Sequence, residues 1–346
     1  MTRPTKLTLL ARPPARGLCT LDWPMLALVE ITWWHWVGFI ACVLVLLYLD
    51  LGVFHRRAHV VSFRESLAWT AVWFCLAMLF ALGLKPVRGD KEALEFVTGY
   101  LIELSLSMDN VFVIALIFSH FRIPPEHQHR VLFWGILGAL IMRGFMIGIG
   151  VAIISLLHWV LYVLGALIVF SGLKMMFAEG DIDPDKSRVI IWTRKFYPVT
   201  PHLDGQKFLT QWNGRPALTP LALVLLLVET TDLVFAFDSI PAIFAVTTKP
   251  FIVFTSNVFA ILGLRTLYFV LAGAMRYFRF LKPGLSVVLV FIGVKMLLDP
   301  HDHEPPLWFQ VDIPISISLL VVAGIIVSSI VASIVAGWLE SKRPPK

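Results

Sequence analysis

Charged residues are scarce in this sequence of 346 residues: Asp, Glu, Lys and Arg make up 15% of it, whereas 58% is hydrophobic. A soluble globular domain is closer to half apolar and a quarter charged. The apolar residues come in runs of about 20, the length at which a helix crosses a hydrocarbon core of ~30 Å. The scarcity of charge therefore excludes an ordinary soluble domain. It predicts an all-α, polytopic membrane protein in contact with lipid.

Cysteine is also rare, and Cys19, Cys42 and Cys75 have neither the spacing of a zinc site nor that of a disulfide framework. No Gly-x-x-x-x-Gly-Lys-Ser/Thr loop occurs, so the chain lacks that signature of nucleotide binding. The net charge of +6 could indicate nucleic acid, but basic loops of a membrane protein are better explained by orientation. We expect no nucleic-acid partner, no permanently bound cofactor and no enzymatic activity.

Nine apolar runs predict about nine transmembrane helices, with Pro, Gly and charged residues at the joins. The runs lie near 32–53, 67–84, 92–119, 131–154, 158–177, 218–248, 251–275, 281–298 and 313–338. The long connection between the fifth and sixth runs is polar, and we expect it to hold a short amphipathic segment.

The Lys and Arg residues of the loops divide unequally between the two sides of the membrane. Seventeen lie on one side and four on the other: Lys85, Arg88, Lys91 and Lys249. Because basic loops stay in the cytoplasm, we expect the N-terminus outside and the C-terminus in the cytoplasm. The basic N-terminal extension 1–30 fits this orientation poorly, and a start at Met25 would remove its four charges.

An internal repeat is the strongest organisational signal. Three matches carry it, at offsets of 123, 122 and 121 residues: Asp109 with Asp232, Arg143 with Arg265, and Gly172 with Gly293. Each unit has three helices, so the second copy must enter the membrane from the opposite side, as in the inverted repeats of secondary transporters. Chance similarity among apolar helices is the alternative, and three matches at near-constant offset count against it.

The repeat divides the chain into six parts. They are the extension 1–30, accessory helices 31–90, repeat 1 at 91–177, a cytoplasmic loop 178–217, the inverted repeat 2 at 218–298, and 299–346, which holds an outer loop, the last helix and a cytoplasmic tail.

Five carboxylates lie within predicted spans: Glu103, Asp109, Glu229, Asp232 and Asp238. Each costs about 2.5–3.5 kcal/mol on insertion scales. Internal ion pairs with Arg143 and Arg265 would give the charges a purely structural role. Two arginines cannot balance five acids, however, so the remaining acids must be protonated or bind a cation. We therefore favour a cation or proton site.

The two halves of the repeat suggest how such a site is built. We expect Asp109 and Asp232, at equivalent positions, to approach each other across the midplane and hold one ion between them. Glu229 shares a helix face with Asp232. Glu103 is about 240° around the helix from Asp109, so it is expected beside the ion or on its path rather than as a direct ligand.

Further oxygen ligands flank these acids. Pro241 is expected to break its helix beside Asp238 and Ser239 and to free backbone carbonyls. Asn110 and Asn257 could add neutral oxygens. An all-oxygen set suits hard cations such as Mn²⁺, Mg²⁺ or Ca²⁺, and the residues alone do not choose among them.

Segments 103–113, 228–248 and 255–265 resemble the signatures of the TerC family, within a resemblance that runs from about residue 33 to 338. The sequence is most similar to the Alx-type bacterial members. The resemblance implies Mn²⁺ export across the bacterial inner membrane, with functional acids at the five positions already named.

Export of a divalent cation from an inside-negative cell costs about 4.6 kcal/mol per 100 mV, at ~2.3 per charge. Without nucleotide hydrolysis, we expect coupling to proton entry through the same carboxylates. Two other readings remain open. One is a non-transporting membrane partner that assembles or metallates exported proteins. The other is an intramembrane aspartyl protease, although the Gly-x-Gly-Asp context of that class is missing.

Overall fold

The computed structural model describes residues 30–49, 63–157, 159–177, 187–212, 214–274, 280–299, 310–311 and 313–341. The elements in these ranges are α1 (Trp33–Tyr48), α2 (Phe63–His120), α3 (Pro125–Leu156), α4 (Val160–Phe177), α5 (Arg188–Phe196), β1 (Leu209–Trp212), β2 (Arg215–Leu218), α6 (Pro220–Phe244), α7 (Pro250–Ala274), α8 (Leu281–Leu298) and α9 (Ile315–Ser341). Of the described helices, seven are long and apolar enough to cross a membrane, and α1 is apolar but shorter. The predicted all-α, polytopic membrane architecture is confirmed. The expected extension 1–30 lies, apart from its last residue, outside the described residues, as does most of the outer loop.

Helix α2 is too long for one membrane crossing, because 58 helical residues would extend ~87 Å. Its backbone breaks at Gly89, where φ is +86°, a conformation that glycine adopts readily. The rings of Phe74 and Tyr100 lie 6.0 Å apart, although a straight helix would separate them by ~39 Å. The segments 63–88 and 90–120 therefore fold back on each other as two antiparallel helices. These are the second and third of the nine predicted spans.

Helix α7 is the most enclosed of the candidate spans, with 94% of its apolar window buried inside the protein. It packs against α2 and α3. Its buried polar residues are Thr255, Ser256, Asn257, Arg265 and Thr266. Polar side chains at membrane depth normally face the protein interior rather than lipid. Helix α9, by contrast, has only 17% of its window buried and leaves most of its apolar surface exposed.

Helices α4 and α8 pack through small residues in a reciprocal pattern. A methyl group on Gly172 would lie 3.0 Å from the carbonyl oxygen of Ser286, and one on Gly293 would lie 2.9 Å from that of Gly165. The offset of 121 residues pairs Gly165 with Ser286 and Gly172 with Gly293, so each contact maps onto the other. An isologous two-fold interface has this property. The inverted repeat itself stays a prediction.

The long connection between α4 and α6 contains more structure than the sequence analysis expected. Helix α5 corresponds to the expected amphipathic segment, with Ile191 and Trp192 exposed. The hairpin of β1 and β2 was not predicted. Its signal is the Asn213-Gly214 pair between Trp212 and Arg215, a strong two-residue turn sequence.

Candidate functional site

Arg143 of α3 lies at the centre of a buried group of polar side chains and is 1% exposed. Its Nε donates to Oδ2 of Asp232 at 3.1 Å, and Nη2 donates to Oδ1 at 2.8 Å. The third nitrogen, Nη1, donates to Oε1 of Glu103 and lies 3.5 Å from Oγ of Ser239. One guanidinium therefore joins carboxylates from α2 and α6. We call the following five residues the buried cluster: Arg143, Glu103, Asp232, Ser239 and Asn110.

Asn110 completes the hydrogen bonding of Asp232, because its Nδ2 donates to Oδ1 at 3.1 Å. Beside this pair is a cavity of about 10 Å³, whose polar lining comes from Asn110, Thr231 and Asp232. The remaining wall is formed mainly by apolar side chains of α2, α3, α6 and α7. A cavity of this size holds about one water molecule. The space next to Asp232 therefore suits a single small guest.

Several buried polar atoms on α2 and α7 have no hydrogen-bond partner among the described residues. They include Oε2 of Glu103, Oγ of Ser107, Oδ1 of Asn110, and both amide atoms of Asn257. An unsatisfied buried polar atom costs about 1–3 kcal/mol. The oxygens among them therefore have free capacity for a ligand that accepts their lone pairs, such as a hard cation.

Glu229 lies one helical turn before Asp232 on α6, and the two carboxylates repel each other. The Glu229 carboxylate packs directly against Gly138 of α3, where a methyl group would overlap it. Gly135 allows a similar close approach, because a methyl group there would lie 3.3 Å from the side chain of Val228. Glycines of α3 therefore bring the helix backbone next to the acids of α6.

The structure does not bring all five predicted acids together. Asp109 interacts electrostatically with Lys282, and Asp238 accepts a hydrogen bond of 2.6 Å from Oγ of Ser171. The hydrogen-bond partners of Asp232 are Arg143 and Asn110, rather than a site shared with Asp109. Within the described ranges, no group of three or more His, Cys, Asp or Glu side chains converges as a metal site would. Arg265, the predicted counterpart of Arg143, is buried in α7.

The expected helix break at Pro241 is wrong, because α6 continues without interruption to Phe244. Proline still removes the N–H that would have bonded the carbonyl of Phe237. Every residue from Ser239 to Phe244 is buried, and packing on all sides holds the helical geometry against the local preference of the sequence. One backbone carbonyl is freed, rather than an unwound segment.

A second group of charges surrounds a larger cavity, at the opposite end of segment 90–120 from His120. Arg88 donates to Glu92 at 2.6 and 2.8 Å, and Nζ of Lys249 lies 3.1 Å from Glu92 and 3.3 Å from Glu95. Thr247 donates to Glu95 at 2.8 Å. The cavity, of about 660 Å³, is lined by Glu95, Thr247 and Lys249 among others. We call this cavity the vestibule. The vestibule cluster is Arg88, Glu92, Glu95, Thr247 and Lys249. Sequence analysis did not single out the two glutamates.

A polar stripe along α2 connects the two clusters. Glu92, Glu103 and Asn110 are spaced by 11 and 7 residues, about three and two helical turns, so they share one face. Glu95 and Glu103 are separated by about 12 Å along the helix axis. This spacing along one face of the helix is the signal that could have identified Glu92 in the sequence.

Comparisons with known proteins agree with the fold. The family described as "Integral membrane protein TerC family" matches residues 88–343. A Myxococcus xanthus membrane protein is 52% identical over 301 residues, covering 87% of this chain and 92% of its own. Alx of Escherichia coli (strain K12), a candidate membrane-bound redox modulator by name, is 44% identical over 318 residues, covering 89% and 96%. No solved structure matches the chain significantly. On this evidence the chain is a multi-pass membrane protein that belongs to the TerC family.

Proposed function

We propose that this protein is a secondary transporter that exports a divalent metal cation, Mn²⁺ above others, across the cytoplasmic membrane. The observation that carries the proposal is the buried cluster, in which carboxylates from two helices converge on one cationic group. Ionisable side chains at membrane depth are costly, and they commonly belong to ion pathways. A protein without an ion pathway gains nothing that offsets the cost of these buried charges.

The charge balance at membrane depth favours a cationic cargo. Five carboxylates lie within the spans, and the two buried arginines of these helices, Arg143 and Arg265, return two charges. A bound cation would offset part of the remaining negative charge. The side-chain atoms with free capacity on Glu103, Ser107 and Asn110 are all oxygens, the donor type that hard cations prefer. The preference for Mn²⁺ over Mg²⁺ or Ca²⁺ comes from the family resemblance.

Export needs a driving force, because moving a divalent cation outward against 100 mV costs about 4.6 kcal/mol. Protons entering along the same carboxylates are the simplest source. In this scheme each acid either binds the metal or carries a proton, so the two fluxes are linked. The basic side of the protein faces the cytoplasm, and the vestibule opens on the other side.

The geometry gives no support to an aspartyl protease. Such enzymes need two aspartates close enough to share one proton. Asp232 is instead bound by the guanidinium of Arg143, and its hydrogen-bond partners do not include Asp109. We therefore propose that the protein has no catalytic role.

Flux of Mn²⁺ into proteoliposomes tests the proposal directly. We expect the purified protein to move Mn²⁺ when a pH gradient is imposed, and the Asp232→Asn variant to lose about 10–100-fold in rate, as metal sites commonly do when a supporting contact is removed. Asp204→Asn is the matched control, since Asp204 lies in the exposed connection before β1 and contacts Thr210 and Lys207.

Wild-type protein without flux under any gradient would contradict transport and favour the non-transporting partner. Flux that survives Asp232→Asn at the level of the control would move the site away from the buried cluster.

A further inference from the structure

We propose that Arg143 is a tethered cation that occupies the transport site and competes with the cargo for the same carboxylate oxygens. This inference rests on the proposed function and specifies how the site is regulated. The guanidinium is the shared counter-ion of Glu103 and Asp232 when no cargo is bound, and the metal ion displaces it from Asp232 on loading. Arg143 then returns as the ion leaves.

The contacts of Asp232 show why the two cations would compete. Oδ1 accepts from Nη2 of Arg143 and from Nδ2 of Asn110, while Oδ2 accepts from Nε of Arg143. Arg143 thus binds both carboxylate oxygens of Asp232 in a bidentate contact, which fixes the orientation of the guanidinium. A metal ion that binds Asp232 must take at least one of these oxygens from the guanidinium.

The space beside Asp232 leads to the same conclusion. The adjoining cavity of about 10 Å³ has room for about one water molecule. A cation that keeps even part of its water shell does not fit there while the guanidinium stays in place. Binding of the cargo to Asp232 therefore requires that Arg143 withdraws from that carboxylate.

The oxygens on α2 supply a first landing point for the cation. Oε2 of Glu103 and Oδ1 of Asn110 are buried and have no hydrogen-bond partner among the described residues. Each of these atoms offers one contact to an arriving ion before Arg143 leaves Asp232. The site is thus available on the α2 side and closed on the α6 side, which allows stepwise displacement.

A tethered cation also solves a problem that every carrier with buried acids faces. Removing the cargo would otherwise leave two carboxylates without a partner in a low-dielectric interior, and uncompensated buried charges are strongly unfavourable. An arginine is suited to this task, because its guanidinium stays charged at any physiological pH. The unloaded protein can then return across the membrane without carrying a metal ion.

The test measures Mn²⁺ affinity and Mn²⁺ flux separately in wild type, Arg143→Lys and Arg143→Gln, in detergent and in proteoliposomes. If Arg143 occupies the site about nine-tenths of the time, its removal tightens equilibrium Mn²⁺ binding about tenfold. We expect Arg143→Gln to bind Mn²⁺ tightly and to transport it slowly, since the unloaded acids lack their partner. A purely supporting role predicts the opposite, namely weaker binding.

Arg143→Lys decides the question if the Gln variant does not fold. Lysine keeps the positive charge but cannot make the bidentate contact with Asp232. We therefore expect Arg143→Lys to bind Mn²⁺ about two- to threefold more tightly than wild type and to retain part of the Mn²⁺ flux. Arg215→Gln, at an exposed position of strand β2, is the control and should match wild type.

If the wild-type protein transports Mn²⁺ and Arg143→Lys binds Mn²⁺ equally or more weakly than wild type, the tethered-cation inference is overturned and the transport proposal stands. A wild-type protein that neither binds nor moves Mn²⁺ would overturn both.

Discussion

In the buried cluster and in the vestibule cluster alike, one cationic side chain bridges two carboxylates. The bridging cations differ in access to water, because the side chain of Arg143 is 2% exposed and that of Lys249 is 39% exposed. The clusters also differ in the number of cations, since Arg143 is the one cation of the buried cluster, whereas in the vestibule cluster Arg88 binds Glu92 through two nitrogens beside Lys249.

The difference in exposure sets what each cluster can do. Electrostatic interactions strengthen as water is excluded, so rearranging the buried cluster changes the free energy far more than rearranging the vestibule cluster. In the vestibule cluster the two carboxylates are buried, and Lys249 is the member that reaches water. We therefore expect the buried cluster to act as a switch between two defined states, and the vestibule cluster to exchange partners more readily through Lys249.

Crowding Glu229, next to the buried cluster, should produce the larger effect. In Gly138→Ala the added methyl would overlap the Glu229 carboxylate, which is the far end of a flexible side chain and can shift at little cost in stability. We expect a nearly unchanged melting temperature in detergent and a loss of most Mn²⁺ flux, because the Glu229 carboxylate is displaced from its place near Asp232.

Gly148→Ala is the matched control for that variant. Gly148 lies on the same helix, and a methyl group there would meet nothing within 4 Å. We expect wild-type flux in the control. Equal behaviour of the two glycine variants would show that the contact between α3 and Glu229 has no part in transport.

Removing a charge from the vestibule should have a smaller effect, confined to the apparent affinity for Mn²⁺ on that side of the membrane. Glu95→Gln keeps the size of the side chain and takes away one charge next to the cavity. An interaction of about 1 kcal/mol between charges 4 Å apart in water corresponds to about a fivefold change in half-saturating Mn²⁺ measured from the vestibule side. The maximal rate should stay the same.

Asp90→Asn provides the control, because Asp90 lies near the same end of segment 90–120, is exposed and pairs only weakly with Lys85. A fall in maximal rate in Glu95→Gln would place Glu95 in the rate-limiting step and remove the distinction between the two clusters.

The sequence was sufficient to predict the helices, and insufficient to predict which charges meet. Spans follow from runs of apolar residues, and the buried acids stand out because charge is rare at that depth. The partner of Asp232 depends on how α3 packs on α6, which in turn depends on Gly135 and Gly138. Spacing within one helix carries no information about such contacts.

The two other misses have local causes. The break at Pro241 was expected from backbone preference, which packing around the end of α6 outweighed. Glu92 and Glu95 were overlooked because they lie near the start of a span, where charged residues are ordinary. In the sequence, only the helical spacing from Glu92 to Glu103 distinguishes Glu92 from a solvent-exposed glutamate at the end of a span.

The smallest effect is expected from Lys249→Gln, which removes the ammonium shared by Glu92 and Glu95 and leaves them bound to Arg88 and Thr247. By analogy with Arg143→Gln, removal of the cation should favour Mn²⁺ at the vestibule. Since Lys249 is partly exposed, we expect a change of only about twofold in half-saturating Mn²⁺.

Charges near water are screened over ~8 Å at 0.15 M salt and ~3 Å at 1 M, so even this gain should vanish at high ionic strength. The affinity gain of Arg143→Gln, in a site shielded from salt, should persist there. Titration of both variants with Mn²⁺ at low and high salt measures the contrast. A salt-resistant gain in Lys249→Gln as large as that in Arg143→Gln would mean that burial does not separate the two clusters, and that the vestibule holds a cation site of comparable strength.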